Sequence, residues 1–346
     1  MQEEQAKKRA YLYPRTSRNK TSVHNPYVDN FIGSTRHFIN YLNENNPSNV
    51  GIFNLCRFIF KIDLLILNWI EELPDKKGGL FQSVFFLILL KLIRLSRIKI
   101  VWTLHNKFSH SSQNLFFKRM LFFNLLKQSD IIITHSTEGI NFAESLCPGV
   151  SSRIFYFPHP VVPVKTAERN TYEKKYDILI WGTLAPYKAI DNFLEFLSKG
   201  NELKRYRILI AGKAVYPEFI KELRKYENEN IIIRDQYIES DELAVFFQQS
   251  RLVLFTYSGN SVLSSGALMD SISHGAIVFG PDVGAFSELG NAGVIKTYGD
   301  FEDLKVHLEQ LDQLDSSDIS EKIHDFVNTH TWPEFSKVFE KRLKSV

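Results

Sequence analysis

Short apolar runs recur along this chain, and most are followed by a stretch whose apolar positions fall at helical spacing. Residues 10–13 form the first run and end at Pro14. Pro26 and Tyr27 open a helix with apolar positions Phe31, Phe38, Ile39 and Leu42, and residues 50–53 read as the next strand. Residues 63–69 are a stronger strand, ending in the polar group Asn68, Glu71 and Glu72. An apolar helix over 81–97, a strand over 98–104, a helix over 115–127, a strand over 130–136, a helix to 146 and a strand over 154–157 complete the first half. The alternation restarts with strands at 177–181, 207–211, 230–233, 252–255 and 276–279, and a last helix covers 332–343. Continuous apolar runs suit strands covered on both faces, and strands separated by helices imply parallel βαβ units. The pattern therefore predicts two α/β domains, over 1–160 and 176–328, joined by a proline-containing, charged linker at 161–175 and followed by a helical segment over 329–346. In such sheets ligands bind beyond the carboxyl ends of the strands, so the loops after strands carry the chemistry.

Composition narrows the class. A chain of 346 residues has room for two domains, and 44% hydrophobic with 23% charged residues describes a globular protein. The net charge of +3 gives no argument for nucleic acid. Cys56 and Cys147 suit neither a disulfide framework nor a metal site, which points to a reducing compartment. The charged N-terminus shows no secretory signal, so a cytosolic location is expected. The most hydrophobic stretch, 81–97, has an uninterrupted apolar run at 84–90, far short of the roughly 20 residues that span a bilayer. It reads either as a core helix or as an interfacial helix whose Lys91, Arg94, Arg97 and Lys99 meet anionic lipid. Phe116, Phe117, Lys118, Arg119, Phe122 and Phe123 add a second basic-aromatic helix.

Candidate chemistry gathers at strand ends. In the second half, Ser264, Ser265 and Gly266 precede a helix over 267–273, where a serine cap and free backbone N–H groups suit a phosphate. Asp270, one turn in, is placed to accept from ribose hydroxyls, and His274-Gly275 stops the helix. Gly182 permits a tight turn after one strand and Lys188 follows it; Gly212 and Lys213 repeat the arrangement after the next. Either lysine alone is ordinary solvated surface, but two of them with the serine turn suit one diphosphate. In the first half, His105 ends a strand and is a proton shuttle for groups in a cleft, or else a bond to its own loop; His110 lies further on. His159, between two prolines, either reaches a bound sugar or stiffens a turn.

The stretch 257–288 resembles the donor-binding signature of GT-B glycosyltransferases of the retaining family 4 type, in the subgroup with a Ser-Ser-Gly turn. There the helix acid is Asp270 and the last acid, after Gly284, is Glu288, while Val262 stands where most members carry a first glutamate. Residues 181–188 are similar to the family's Gly-x-Ile-Arg-Pro-Tyr-Lys turn, with Ala185 in place of the Arg, and 211–213 to its Ala-Gly-Lys. By resemblance, Tyr237 and Ile238 receive the base. Trp102-Thr103-Leu104-His105-Asn106 matches the subgroup's acceptor-facing motif. His24, Asn25 and Tyr27 resemble its first loop, and Asn68, Trp69 and Glu71 its Trp-Pro-Glu, with Ile70 for Pro. The resemblance implies two Rossmann-like domains facing a central cleft, with the final helix crossing back to the first. It implies transfer of a sugar from a nucleotide diphosphate sugar to a glycan or lipid-linked saccharide in bacterial surface polysaccharide assembly, with peripheral contact at the cytoplasmic face of the inner membrane. His105, Lys188 and Lys213 are the expected catalytic set, and no metal or other cofactor is expected. A nucleotide-sugar epimerase and a non-catalytic binding subunit stay open as alternatives.

Overall fold

The computed structural model describes residues 6–15, 26–45, 50–107, 113–164, 172–200, 202, 204–257, 263–314 and 316–346. It divides into two compact units, residues 1–158 with 332–346 and residues 159–331.

In the first unit the chain runs β1 (Lys8–Tyr13), α1 (Tyr27–Thr35), β2 (Ile39–Tyr41), β3 (Leu64–Asn68), α2 (Gly79–Arg94), β4 (Lys99–Leu104), α3 (Leu115–Gln128), β5 (Ile131–Thr134), α4 (Thr137–Leu146) and β6 (Ile154–Tyr156). The sheet is parallel throughout, in the order β2-β1-β3-β4-β5-β6. Every residue of β3 and of β5 is buried, as expected of strands covered on both faces. Strand order reverses between β1 and β3, which makes the loops after these strands the natural crevice.

The second unit contains β7 (Tyr176–Trp181), α5 (Ile190–Lys199), β8 (Ile208–Ala211), α6 (Pro217–Arg224), β9 (Ile231–Arg234), α7 (Ser240–Gln249), β10 (Ser250–Leu254), α8 (Gly266–Ser273), β11 (Val278–Pro281), α9 (Gly284–Asn291), β12 (Lys296–Tyr298), α10 (Phe301–Glu309) and α11 (Ser316–Thr329). Its parallel sheet has the order β12-β11-β10-β7-β8-β9, so the reversal lies between β7 and β10. The last helix, α12 (Trp332–Lys344), belongs to the first unit. Its Phe335 and Phe339 rings each lie 5.7 Å from Phe31 of α1, inside the core formed with β1, β3, β4 and β5.

Several elements differ from the sequence expectation. Apolar positions at 38–42 do not prolong α1; the chain turns and forms β2, whose Ile39 and Tyr41 are buried while Asn40 is exposed. That alternation of period two is short enough to pass for helical spacing. Residues 50–53 are not a strand: Gly51–Arg57 is a 3-10 helix that buries Ile52 and Leu55, three apart. The brief edge strand β12 has no counterpart among the strands that the sequence pattern predicts. Val161 belongs with the second unit, donating its backbone N–H to His330 O at 2.9 Å. The helix α2 is buried on one face only, with Phe86, Leu90 and Ile93 inward and Phe81, Ile88 and Leu92 exposed. No helix among the described residues is long and apolar enough to cross a membrane.

Candidate functional site

The loops that follow β7 and β8 are bonded to one another. Gly182 N–H donates to Ala211 O at 3.0 Å, Leu184 N–H to Lys213 O at 3.0 Å, and Val215 N–H to Leu184 O at 3.0 Å. Gly212, at φ +154, passes so close that a Cβ on it would fall 1.8 Å from Gly182 O. Gly182, at φ +93, in turn faces α8: a Cβ there would lie 2.9 Å from Lys188 Nζ and 3.8 Å from Ala267 Cβ. The two glycines thus let backbone occupy space that side chains would fill, beside the first turn of α8 and the Lys188 ammonium.

Lys188 ends a 3-10 turn, Pro186–Lys188, and Ala189 at φ 50 redirects the chain into α5. Thr256, just after β10, donates its hydroxyl to Lys188 O at 2.5 Å, fastening this turn across the strand-order reversal. The side chain is 6% exposed, and its Nζ donates to Trp181 O at 3.0 Å and lies 5.9 Å from the Tyr257 ring centroid. Among the described residues no carboxylate pairs with it, and burial pushes its ammonium down to about 7. Tyr257 stacks on Tyr187 and bonds Ser265 at 3.1 Å. Ser265 caps α8, its hydroxyl accepting from Leu268 N–H. Ser264 Oγ is buried with no hydrogen-bond partner, whereas the space around Gly266 is open. A buried cation without a counter-ion, an unpartnered hydroxyl and a helix N-terminus together form a cradle for an anion.

The other residues expected on this side fall into different settings. Lys213 is exposed and paired with Asp235 at 3.1 Å, while Asp235 also accepts from Ala214 N–H at 2.8 Å. Asp270 is open to solvent on α8, yet crowding by protein raises its carboxyl and His274 partly offsets this. Glu288 is half-buried on α9, whose start is tied to Leu263 O by Ala285 N–H at 2.9 Å. Tyr237 is exposed after β9, and Ile238 packs on the core. Ala185, which stands where the resembled turn carries Arg, is 3% exposed and packed into the core. His159 Nδ1 lies 2.9 Å from Pro160 O, which suits a stiffened turn. Among the described residues, no group of three or more His, Cys, Asp or Glu side chains could hold a metal ion.

In the first unit, His105, Asn68, Trp69 and Tyr27 converge beyond β3 and β4. Trp69 adopts a left-handed backbone (φ 46) and stacks on His105, with ring centroids 4.1 Å apart and planes at 10°. For a non-glycine residue that conformation costs on the order of 1–2 kcal/mol, and here it brings the indole onto the imidazole. Asn68 Oδ1 accepts from the His105 Nε2–H at 3.0 Å, and the Tyr27 ring meets His105 edge-on at 4.7 Å. His135, not anticipated from the sequence, extends the group: its Nδ1–H donates to Phe157 O at 2.8 Å and its Nε2 accepts from Tyr27 O–H at 2.8 Å. A carbonyl can only accept, which fixes this tautomer. Asn106 is half-buried beside these groups in sequence. Glu71 is 5% exposed and does not reach the surface; burial pushes its carboxyl up to about 7. Glu71 Oε2 and Trp102 Nε1, the latter on β4, are both buried with no hydrogen-bond partner among the described residues. His24, Asn25, His110 and Val262 lie outside the described residues.

No protein-family profile matches the chain, and no curated protein matches its sequence. Solved structures do. Anabaena Alr3699/HepE in complex with UDP matches at TM-score 0.69 and 13% identity, over 98% of this chain and 100% of that one. A glycosyltransferase from Rickettsia africae matches at TM-score 0.65 and 12% identity, over 99% and 98%. AviGT4, a glycosyltransferase involved in avilamycin A biosynthesis, matches at TM-score 0.58 and 13% identity, over 97% of each chain. At such identities the likeness is one of fold, and the fold of this chain is GT-B.

Proposed function

We propose that this protein is a glycosyltransferase that binds a nucleotide diphosphate sugar in its second unit and transfers the sugar to a glycan or lipid-linked saccharide. The observation that carries this reading is Lys188, buried beside Gly182 and the start of α8 and paired with no carboxylate among the described residues. A diphosphate supplies the missing counter-charge, and α8 adds its N-terminal dipole. UDP is the first nucleotide to test, since Alr3699/HepE has been solved with UDP and with UDP-glucose. Lys213, released from Asp235, adds a second cation. In a retaining transfer the bond from the anomeric carbon to the diphosphate oxygen breaks as the acceptor oxygen attacks from the same face. The acceptor proton passes to the leaving diphosphate, whose charge Lys188 stabilises. His105, held by Asn68 and Trp69, serves the acceptor side. Bacterial surface polysaccharide assembly is the setting that fits such an acceptor, with the enzyme working at the cytoplasmic face of the inner membrane.

The test is a thermal shift against nucleoside diphosphates and nucleotide sugars, for the wild type, Lys188→Ala and Lys213→Ala. Ligand that binds only the folded state raises the melting temperature. One base is expected to give a shift that Lys188→Ala abolishes and Lys213→Ala reduces. The pH dependence has a definite sign. Free Lys188 loses its proton near pH 7, while a bound diphosphate holds it charged, so binding takes up a proton above that pH. Affinity therefore falls as pH rises from about 7 to 9, by up to tenfold per unit. Absence of any shift in folded protein, or an unchanged one in Lys188→Ala, overturns the donor site. A shift with no acceptor-dependent transfer favours a binding subunit.

A further inference from the structure

We propose that the outer faces of α2 and α3 lie on an anionic phospholipid bilayer, with a basic hollow at their C-terminal ends taking a lipid phosphate. On α2, Phe81, Val84, Ile88, Leu92 and Leu95 just beyond its end are exposed, at 81%, 45%, 58%, 57% and 86%. Their spacing puts them in one stripe along the helix. The opposite face is buried against the unit, so this stripe contributes nothing to the core. Helix α3 packs beside α2 and exposes Phe116 at 68%, with Met120 and Phe123 following at helical spacing. Exposed apolar side chains grouped along two neighbouring helices mark a place of attachment.

Charge selects the occupant. Neither α2 nor α3 contains an Asp or Glu, while Lys91, Arg94, Arg119 and Lys127 are exposed along them. A second copy would set cations against cations across a symmetric contact. An anionic bilayer instead takes the apolar stripe at the acyl boundary and the cations at its headgroups. Where the two helices end, Arg94, Lys127, Arg153 and Arg342 line a hollow around Ser129. Ser129 is 1% exposed with its hydroxyl oxygen unpartnered, and Arg342 Nε also lacks a partner. Asp130 shares the rim but is neutralised by Lys99 at 3.5 Å and Arg94 at 3.8 Å. Unpaired buried donors among cations suit a phosphate oxygen.

Co-sedimentation of the full chain with vesicles tests this, using phosphatidylcholine alone and phosphatidylcholine with about 30% phosphatidylglycerol. The wild type is expected to pellet with the anionic vesicles and less well at high salt. Phe81→Ser with Ile88→Ser is expected to weaken partitioning about tenfold or more. Arg94→Gln with Lys127→Gln is expected to abolish the preference for phosphatidylglycerol. Circular dichroism confirms that these surface variants fold. Equal binding to both vesicles, binding to neither, or wild-type binding by the Phe81/Ile88 variant overturns the proposal. So does a concentration-dependent dimer that the same variant dissolves while vesicles have no effect. The readout involves no sugar, so its failure removes the inner-membrane setting and leaves the sugar-transfer reading standing, while failure of nucleotide binding leaves the bilayer contact standing.

Discussion

Glu71 and Lys188 are moved by burial in opposite senses, the carboxyl up to about 7 and the ammonium down to about 7. For Glu71 the consequence is a stability that falls with pH. Between its ordinary value of 4.5 and about 7 the folded state keeps a proton that the unfolded chain has lost, so unfolding becomes easier as pH rises through that window. Glu71→Gln is accordingly expected to stabilise the protein at pH 8 by on the order of 1–3 kcal/mol and to do little at pH 5. Urea denaturation at both values measures it, and an equal effect at the two would contradict the assignment. The sequence pointed to Lys188 and His105 through their positions after strands. It could not reveal that Lys188 is enclosed, since Tyr257 and Thr256 reach it from another strand end. Nor could it reveal His135, whose partner Tyr27 lies 108 positions away.

At the scale of elements, the paired turns after β7 and β8 stand or fall together. Gly212→Ala drives a methyl into Gly182 O and is expected to cost about 1–3 kcal/mol while erasing the nucleotide-induced thermal shift. Gly266→Ala, where a Cβ meets open space, is the comparison and is expected to leave stability within about 0.5 kcal/mol. A Gly212→Ala protein that melts and binds as the wild type does would show that the two turns separate easily. Central strands such as Ile131–Thr134 were legible because both their faces are covered and the sequence becomes a continuous apolar run. Edge strands escape that logic. Lys296–Tyr298 pairs on one side only, with just Tyr298 fully buried, and its sequence resembles a loop.

For the whole molecule, the first unit draws its core from both ends of the described chain. Phe335 and Phe339 are fully buried among residues of α1, β1 and β3–β5. Phe335→Ala is expected to destabilise that unit by about 3–5 kcal/mol and to leave the second unit's unfolding unchanged, so that calorimetry shows two separated transitions. A single transition moved as one would mean that the units unfold together. The expected division of the chain into two α/β halves followed from the restart of alternation at residue 176, whereas the place where the second unit begins, at His159, depends on a backbone bond to His330 that no local pattern announces.

The return of α12 also orders events during synthesis. A ribosome delivers β1 to β6 first, yet the residues that close their core lie at 332–344, after the entire second unit. The nascent first unit must hold Phe31 and Phe155 uncovered while some 170 further residues emerge, and the second unit has all its strands before the first is sealed. A chain cut short after Thr331 therefore carries a complete second half attached to an open, aggregation-prone first one. The part made earliest is the part finished last.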